Sequence, residues 1–176
     1  MPLPVKLQEV IDALEVMGDE MTHYLNKLTG EVVLVTDEHM SAAEKSAIEE
    51  EDEDEVRTGK LEDPAWWKEA VSQAREVLET DHFVALPDKF EIHEYQIMED
   101  FCLSFKDRDV GEDLLRSIKG KGAFGRFKHG IYSLGVEKAW FQFRQEAFER
   151  IAIEWLEREG IPYERDDAIQ VSGAAM

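Results

Sequence analysis

Between Arg116 and His129 the chain places five basic residues, Arg116, Lys119, Lys121, Arg126 and Lys128, with no acid among them, around the stretch Gly120-Lys-Gly-Ala-Phe-Gly125. The formal net charge of the whole is −20, so a segment carrying +5 leaves −25 on the remainder. Such a local inversion of sign concentrates positive potential that the surrounding acids would otherwise cancel. Glycines leave backbone N–H groups open to close approach, and a helix starting near Gly122 would aim its positive end at the same place. The chemistry this suggests is the binding of a phosphate or carboxylate group, with Lys121, Gly122, Arg126 and Lys128 as the anion-binding residues. The architectural alternative uses Gly120 and Gly122 for a tight turn between helices and Gly125 for close packing. The two-residue separation of Arg126 and Lys128 favours that alternative if it sends them to opposite faces of the helix.

Other constellations are weaker. Gly120, Gly122 and Gly125 match G-x-G-x-x-G in form, but a dinucleotide loop follows a strand, whereas Asp113-Leu-Leu-Arg-Ser-Ile-Lys119 has helical spacing. His93 and Glu94, beside Glu91, Glu99 and Asp100, are acid–base or metal candidates. Ile97 stands where H-E-x-x-H needs its second histidine, so charge at a helix N-terminus is the simpler account of Glu91 and Glu94. The Glu-x-x-His pairs Glu20/His23 and Glu79/His82 fall where helix gives way to strand, which removes the shared helical face a di-metal site requires. Cys102 lies in an apolar run that would raise its pKa, and Ser104, Ser117 and Ser133 lack a nucleophile-elbow context. No catalytic residue, metal site or cofactor is therefore assigned, and whether the protein is an enzyme stays open.

Composition narrows the partners. With 40 acids against 20 Lys and Arg, general binding to nucleic acid or to an anionic membrane is disfavoured by like-charge repulsion. An acidic protein or a small anion meeting the basic turn is the expected partner. The acidic run Glu49–Glu55 is an internal counterpart that could dock there or remain separately solvated, and mimicry of nucleic acid by the acidic surface is a further possibility. A single cysteine, no secretory leader and no apolar run long enough to span a bilayer lead to the expectation of a cytoplasmic protein.

The elements that would position these groups follow from periodicity. At 176 residues and 43% hydrophobic content, one domain spanning 1–176 is expected. Leu7, Val10, Ile11, Leu14 and Met17 predict an N-terminal helix capped by Gly18. Two β-prone runs, His23–Asn26 and Glu31–Val35, flank the turn Lys27-Leu-Thr-Gly30, in which Gly30 can take the left-handed position. Residues 37–62 read as an acidic loop, flexible insert or frayed helical arm. Asp63-Pro64 predicts a capped helix through Trp67, Val71, Ala74 and Leu78, followed by a short strand at His82–Leu86 beside the hairpin. Three helical stripes follow: Tyr95, Met98, Phe101, Cys102 and Phe105; Val110, Leu114, Leu115 and Ile118; Phe124, Phe127, Ile131 and Leu134. A long helix over about 136–159 carries Trp140, Phe141, Phe143, Ala147, Phe148, Ile151, Ala152 and Trp155. The fold class is α+β, mostly helical, with an N-terminal helix, a β-hairpin plus one short strand, and an aromatic-rich C-terminal half.

Phe90-Glu-Ile-His-Glu-Tyr-Gln-Ile-Met-Glu-Asp-Phe-Cys102, Gly122-Ala-Phe-Gly-Arg-Phe-Lys128 and the aromatic helix from Phe141 to Trp155 together resemble a family of small bacterial proteins of uncharacterised function, one of the UPF series. Leu28-Thr-Gly-Glu-Val-Val33 looks like that family's hairpin turn, and the resemblance runs over about residues 5–161 outside the acidic insert. The family often has a basic residue where this chain has Gly125. Kinship of this kind implies no activity, so the expectation from the residues is a non-enzymatic binding or regulatory module that meets an anionic or acidic partner through the turn 116–129. An enzyme acting on a small anionic or phosphorylated substrate is the alternative.

Overall fold

Residues 3–51 and 63–165 are described by the computed structural model. They divide into one unit comprising the chain up to Asp88 with the segment from Trp155 onward, and a second comprising Lys89–Glu154.

In the first unit a short strand β1 (Val5–Lys6) leads directly into α1 (Leu7–Glu15). Leu7, Val10, Ile11 and Leu14 recur at helical spacing and are buried, together with Ala13. The helix ends before the expected cap: Val16 leaves it at φ −112°, and Gly18 takes no positive φ. Strands β2 (Met21–Asn26) and β3 (Val32–Thr36) pair antiparallel with Tyr24 opposite Val33, as the alternating β-branched residues require. The turn between them is held by Asn26, whose Oδ1 accepts from the backbone N–H of Leu28 at 2.9 Å and of Thr29 at 3.3 Å. Gly30 supplies φ +76°, and a Cβ there would stand 2.8 Å from the carbonyl oxygen of Pro4.

The stretch expected as an acidic loop, flexible insert or frayed helical arm begins with α2 (Asp37–Glu51). Its helix signal is carried by small residues: Ala43 is fully buried and Met40 packs beside it, so close helix approach takes the place of large apolar side chains. The acids of 49–55 follow this packed part. Residues 52–55, like the rest of the expected insert to residue 62, lie outside the described residues. Helix α3 (Ala65–Glu79) starts at Ala65 with Pro64 as its N-cap, and no side chain caps it. Ala43, Ala74 and Val35 form a small core with Tyr24, Val33, Met40, Val71 and Val77 against it. Leu78 is exposed instead of joining that face, and Trp67 is half-buried, edge-on to His39 at 4.7 Å.

Strand β4 (Phe83–Ala85) pairs antiparallel with β2, giving the order β3-β2-β4. A further pairing carries no sequence periodicity: β5 (Tyr163–Glu164) runs parallel to β1, with Val5 opposite Tyr163. Two residues are too few for alternation to register.

The second unit is helical. Lys89–Ile92 forms a single turn, α4, and α5 (Glu94–Leu103) follows. Helix α6 (Arg108–Ser117) is capped by Asp107, whose side chain accepts from the N–H of Asp109 at 3.0 Å and of Val110 at 3.4 Å. Helices α7 (Ala123–Leu134) and α8 (Glu137–Glu159) complete it, the residues of α8 from Trp155 on being counted with the first unit. Phe101 organises the interior: Phe105, Phe127, Trp140 and Phe143 meet it edge-on, with centroids 5.0 to 6.2 Å away. Gly111 is buried because α5 and α6 touch there, where a Cβ would stand 2.5 Å from the carbonyl oxygen of Cys102. Phe124, Leu134 and Phe141 are exposed, although each belonged to an apolar stripe; Ala123 and Leu156 are buried in addition. The architecture is α+β and mostly helical. No helix among the described residues is long and apolar enough to cross a membrane.

Candidate functional site

The basic turn joins α6 to α7. Ile118 closes α6 and is fully buried, anchoring the turn from below. Gly120 at φ +83° and Gly122 at φ +77° then reverse the chain, so two of the three glycines are needed for the left-handed backbone. Gly125 is not: nothing lies within 4 Å of where its Cβ would be, so it packs against nothing.

Arg126 is turned back beneath the turn. Its Nε donates to the carbonyl of Ser117 at 2.6 Å, Nη2 to that of Lys119 at 2.6 Å, and Nη1 to that of Lys121. These carbonyls belong to the end of α6 and the segment after it, where a helix carries partial negative charge, so the guanidinium works as a C-terminal cap. Gly122 leaves room for it, since a Cβ there would lie 3.2 Å from Nη1. Three of the five N–H donors of Arg126 are thereby taken by the chain itself. Arg116 is similarly engaged, donating to Asp113 at 2.9 Å.

Lys119, Lys121 and Lys128 remain exposed, with no side-chain hydrogen bond or ion pair among the described residues. Lys121 precedes Gly122, the N-cap of α7, which offers no capping side chain. Lys128 lies about 200° around α7 from Arg126, so these two cations face opposite ways. The structure thus gathers Lys121 and Gly122 at the amino end of α7, with Arg126 beneath and Lys128 one turn along the outer face.

His93 and Glu94 sit at a break. His93 adopts φ 53°, ψ 58°, the only positive φ among the described non-glycine residues, and divides what the sequence reads as one helix into α4 and α5. Its side chain is exposed. Glu94 receives Nε of Arg144 at 3.0 Å, and the same guanidinium lies over the ring of Phe148 at 4.5 Å. A carboxylate held in this way is a structural partner, and no local pattern links it to an arginine 50 residues away. Among the described residues no three His, Cys, Asp or Glu side chains are grouped as a metal site would need. Burial pushes the Cys102 thiol up to about 11, with the charge of Glu99 adding to it, so a thiolate nucleophile is absent at neutral pH.

Sequence reading assigned Phe124 to the interior and did not single out Tyr132. Both stand on the outer face of α7, 53% and 68% exposed, on either side of Lys128. Their spacing of four and eight residues is the signal that was present.

The sequence pattern of one family matches residues 68–176, more than half of the chain. The chain belongs to the uncharacterised protein family UPF0158. The UPF0158 match contains both Phe90–Cys102 and Gly122–Lys128, whereas the hairpin turn at Leu28–Val33 lies before it. No curated protein and no solved structure matches the chain. Membership in UPF0158 brings kinship without an assigned activity.

Proposed function

We propose that this protein is a non-enzymatic binding module that recognises an acidic partner through the basic turn between α6 and α7. The observation that carries the reading is the set of three exposed lysines, Lys119, Lys121 and Lys128, which have no ion pair among the described residues of a chain with net charge −20. In a chain with twice as many acids as basic residues, lysines left unpaired within ten residues of one another, in the turn and the first half of α7, are available to carboxylates or phosphates from outside. Arg126 serves this site indirectly, by fixing the backbone from which Lys119 and Lys121 project. A cytoplasmic setting belongs to the same proposal, supported by the single, buried Cys102, a thiol that needs no oxidising compartment.

The test is a titration of poly-glutamate and of inorganic phosphate, at low and at physiological salt, against the wild type and a Lys119→Ala, Lys121→Ala, Lys128→Ala variant. Poly-glutamate binding that weakens with salt and falls about tenfold or more in the variant is the expected result. Equal binding by both proteins, or none by either, refutes the assignment. Phosphate binding that exceeds poly-glutamate binding and disappears in the variant would move the reading to a small phosphorylated ligand.

A further inference from the structure

We propose that the outer face of α7 is a docking surface for an acidic amphipathic helix of a partner protein. That helix would present two apolar side chains about two turns apart, with carboxylates between and beside them. The inference rests on the preceding reading of the lysines as receivers of anionic groups and adds what else the partner must carry.

On an α-helix, residues four apart lie within about 40° of one another and about 6 Å along the axis. Phe124, Lys128 and Tyr132 therefore form one row along α7, an aromatic at each end and a cation between them. A neighbouring face of the helix, about 100° round from this row, carries Ala123, Phe127 and Ile131, which are buried and already hold α7 in place. Phe124 and Tyr132 are left 53% and 68% exposed. Large aromatics facing water contribute little to the fold, whereas aromatics are the side chains on which protein interfaces concentrate their binding energy. Gly125 stands beside the row with open space above its Cα, which permits a partner backbone to approach closely. Lys121, just before the first turn, extends the positive charge beyond Phe124.

The charge pattern selects the occupant. A cation between two aromatics calls for a carboxylate between two apolar residues, which an amphipathic helix supplies at matching spacing. A nucleic-acid strand could stack on the aromatics, but it places a phosphate at every nucleotide, and the net −20 of this chain opposes such a polymer everywhere outside the turn. A second copy of the chain would bring another −20 with it. A short acidic segment of a different protein meets the local charge with the least opposition.

Two probe peptides of about 16 residues test this, long enough to populate helix when bound. Both are built from Glu and Ala; one carries Leu at two positions about two helical turns apart, and the other carries Ser there. Fluorescence anisotropy at physiological salt should show the Leu peptide bound roughly tenfold more tightly than the Ser peptide by the wild-type protein. The Phe124→Ser, Tyr132→Ser double variant should lose that preference and keep the weaker binding of both peptides. The Lys121→Ala, Lys128→Ala variant should weaken both alike. Equal binding of the two peptides by the wild type overturns the inference while leaving the charge reading standing; no binding of either overturns both. Tighter binding of oligo-thymidine than of the Leu peptide assigns the face to nucleic acid and overturns it, as does wild-type self-association that the Phe124/Tyr132 variant abolishes.

Discussion

Replacing Arg126 by alanine should unfold the basic turn before it affects any ligand, because its guanidinium holds the carbonyls of Ser117, Lys119 and Lys121. A hydrogen bond from a charged donor contributes about 1.5–3 kcal/mol when shielded from water. Arg126 is exposed, so water competes for each carbonyl and about 0.5 kcal/mol apiece is the appropriate scale, in line with exposed charge interactions of about 0–1 kcal/mol. Placing a cation at the end of α6 adds about 0.3–1 kcal/mol from the helix dipole. The sum is a destabilisation of about 2 kcal/mol, or roughly 4–8 °C in Tm for a chain of this size. Arg126→Lys separates the contributions: an ammonium keeps the dipole interaction but cannot span three carbonyls with a planar fork, so it should recover less than half of the loss. Urea unfolding followed by tryptophan fluorescence measures both variants. A loss below about 0.5 kcal/mol for the alanine variant, or a lysine variant as stable as the wild type, would refute the capping role.

His93→Gly should stabilise the protein by about 1 kcal/mol, since glycine adopts the φ of 53° found there without the steric cost that a side chain incurs; unchanged or lower stability in urea would show that the imidazole contributes more than the strain. Gly111→Ala should cost about 1–3 kcal/mol, because the Cβ would stand 2.5 Å from a backbone oxygen that cannot swing aside, and a neutral result in thermal unfolding would mean that α5 and α6 slide apart freely. Trp155→Ala should cost about 3–5 kcal/mol, as the side chain is only 4% exposed, and a loss below about 1 kcal/mol would remove it from the core. Burial lowers the pKa of His23 below its ordinary value, so the unfolded chain binds a proton that the folded chain resists, and stability should fall as pH drops through about 6.5; a His23→Gln variant with the same pH dependence between pH 7 and 5 would contradict this.

Periodicity made most of the architecture legible, and its failures share a cause. The helices of Val10 and Phe101 announce themselves because large apolar residues repeat on one face, and the hairpin does so through β-branched alternation about Gly30. Helix α2 escapes because its contact is made by Ala43, a residue that seals a close approach without contributing to an apolar pattern. The break at His93 escapes for a different reason: a left-handed histidine is a tertiary outcome, and the residues on either side have ordinary helical spacing. The β1–β5 pairing joins Val5 to Tyr163 across almost the whole described chain, a separation that no local pattern encodes.

At the basic turn, charge was readable from composition but direction was not. Five cations in fourteen residues look like a single cluster on paper, yet side chains two residues apart on a helix point about 200° from each other, and Arg126 and Lys128 illustrate the result. One side chain folds back along the surface onto the turn, where carbonyls at the end of α6 and just after it offer three acceptors within reach; the other extends into solvent between two exposed aromatics. Arginine suits the first position because its planar fork can serve several oxygens at once, and lysine suits the second because a flexible, strongly hydrated ammonium can wait in water for a carboxylate. The same five charges thus divide into Arg126, which builds the turn, Arg116, which pairs with Asp113 within α6, and Lys119, Lys121 and Lys128, which the turn displays. A variant series that neutralises each group separately should therefore split stability from binding: Arg126 should move the unfolding midpoint, Arg116, in an exposed ion pair, should move it little, and the lysines should move poly-glutamate affinity with little change in stability. Correlated losses in both properties across all five positions would mean that building and display are not separate tasks in this turn.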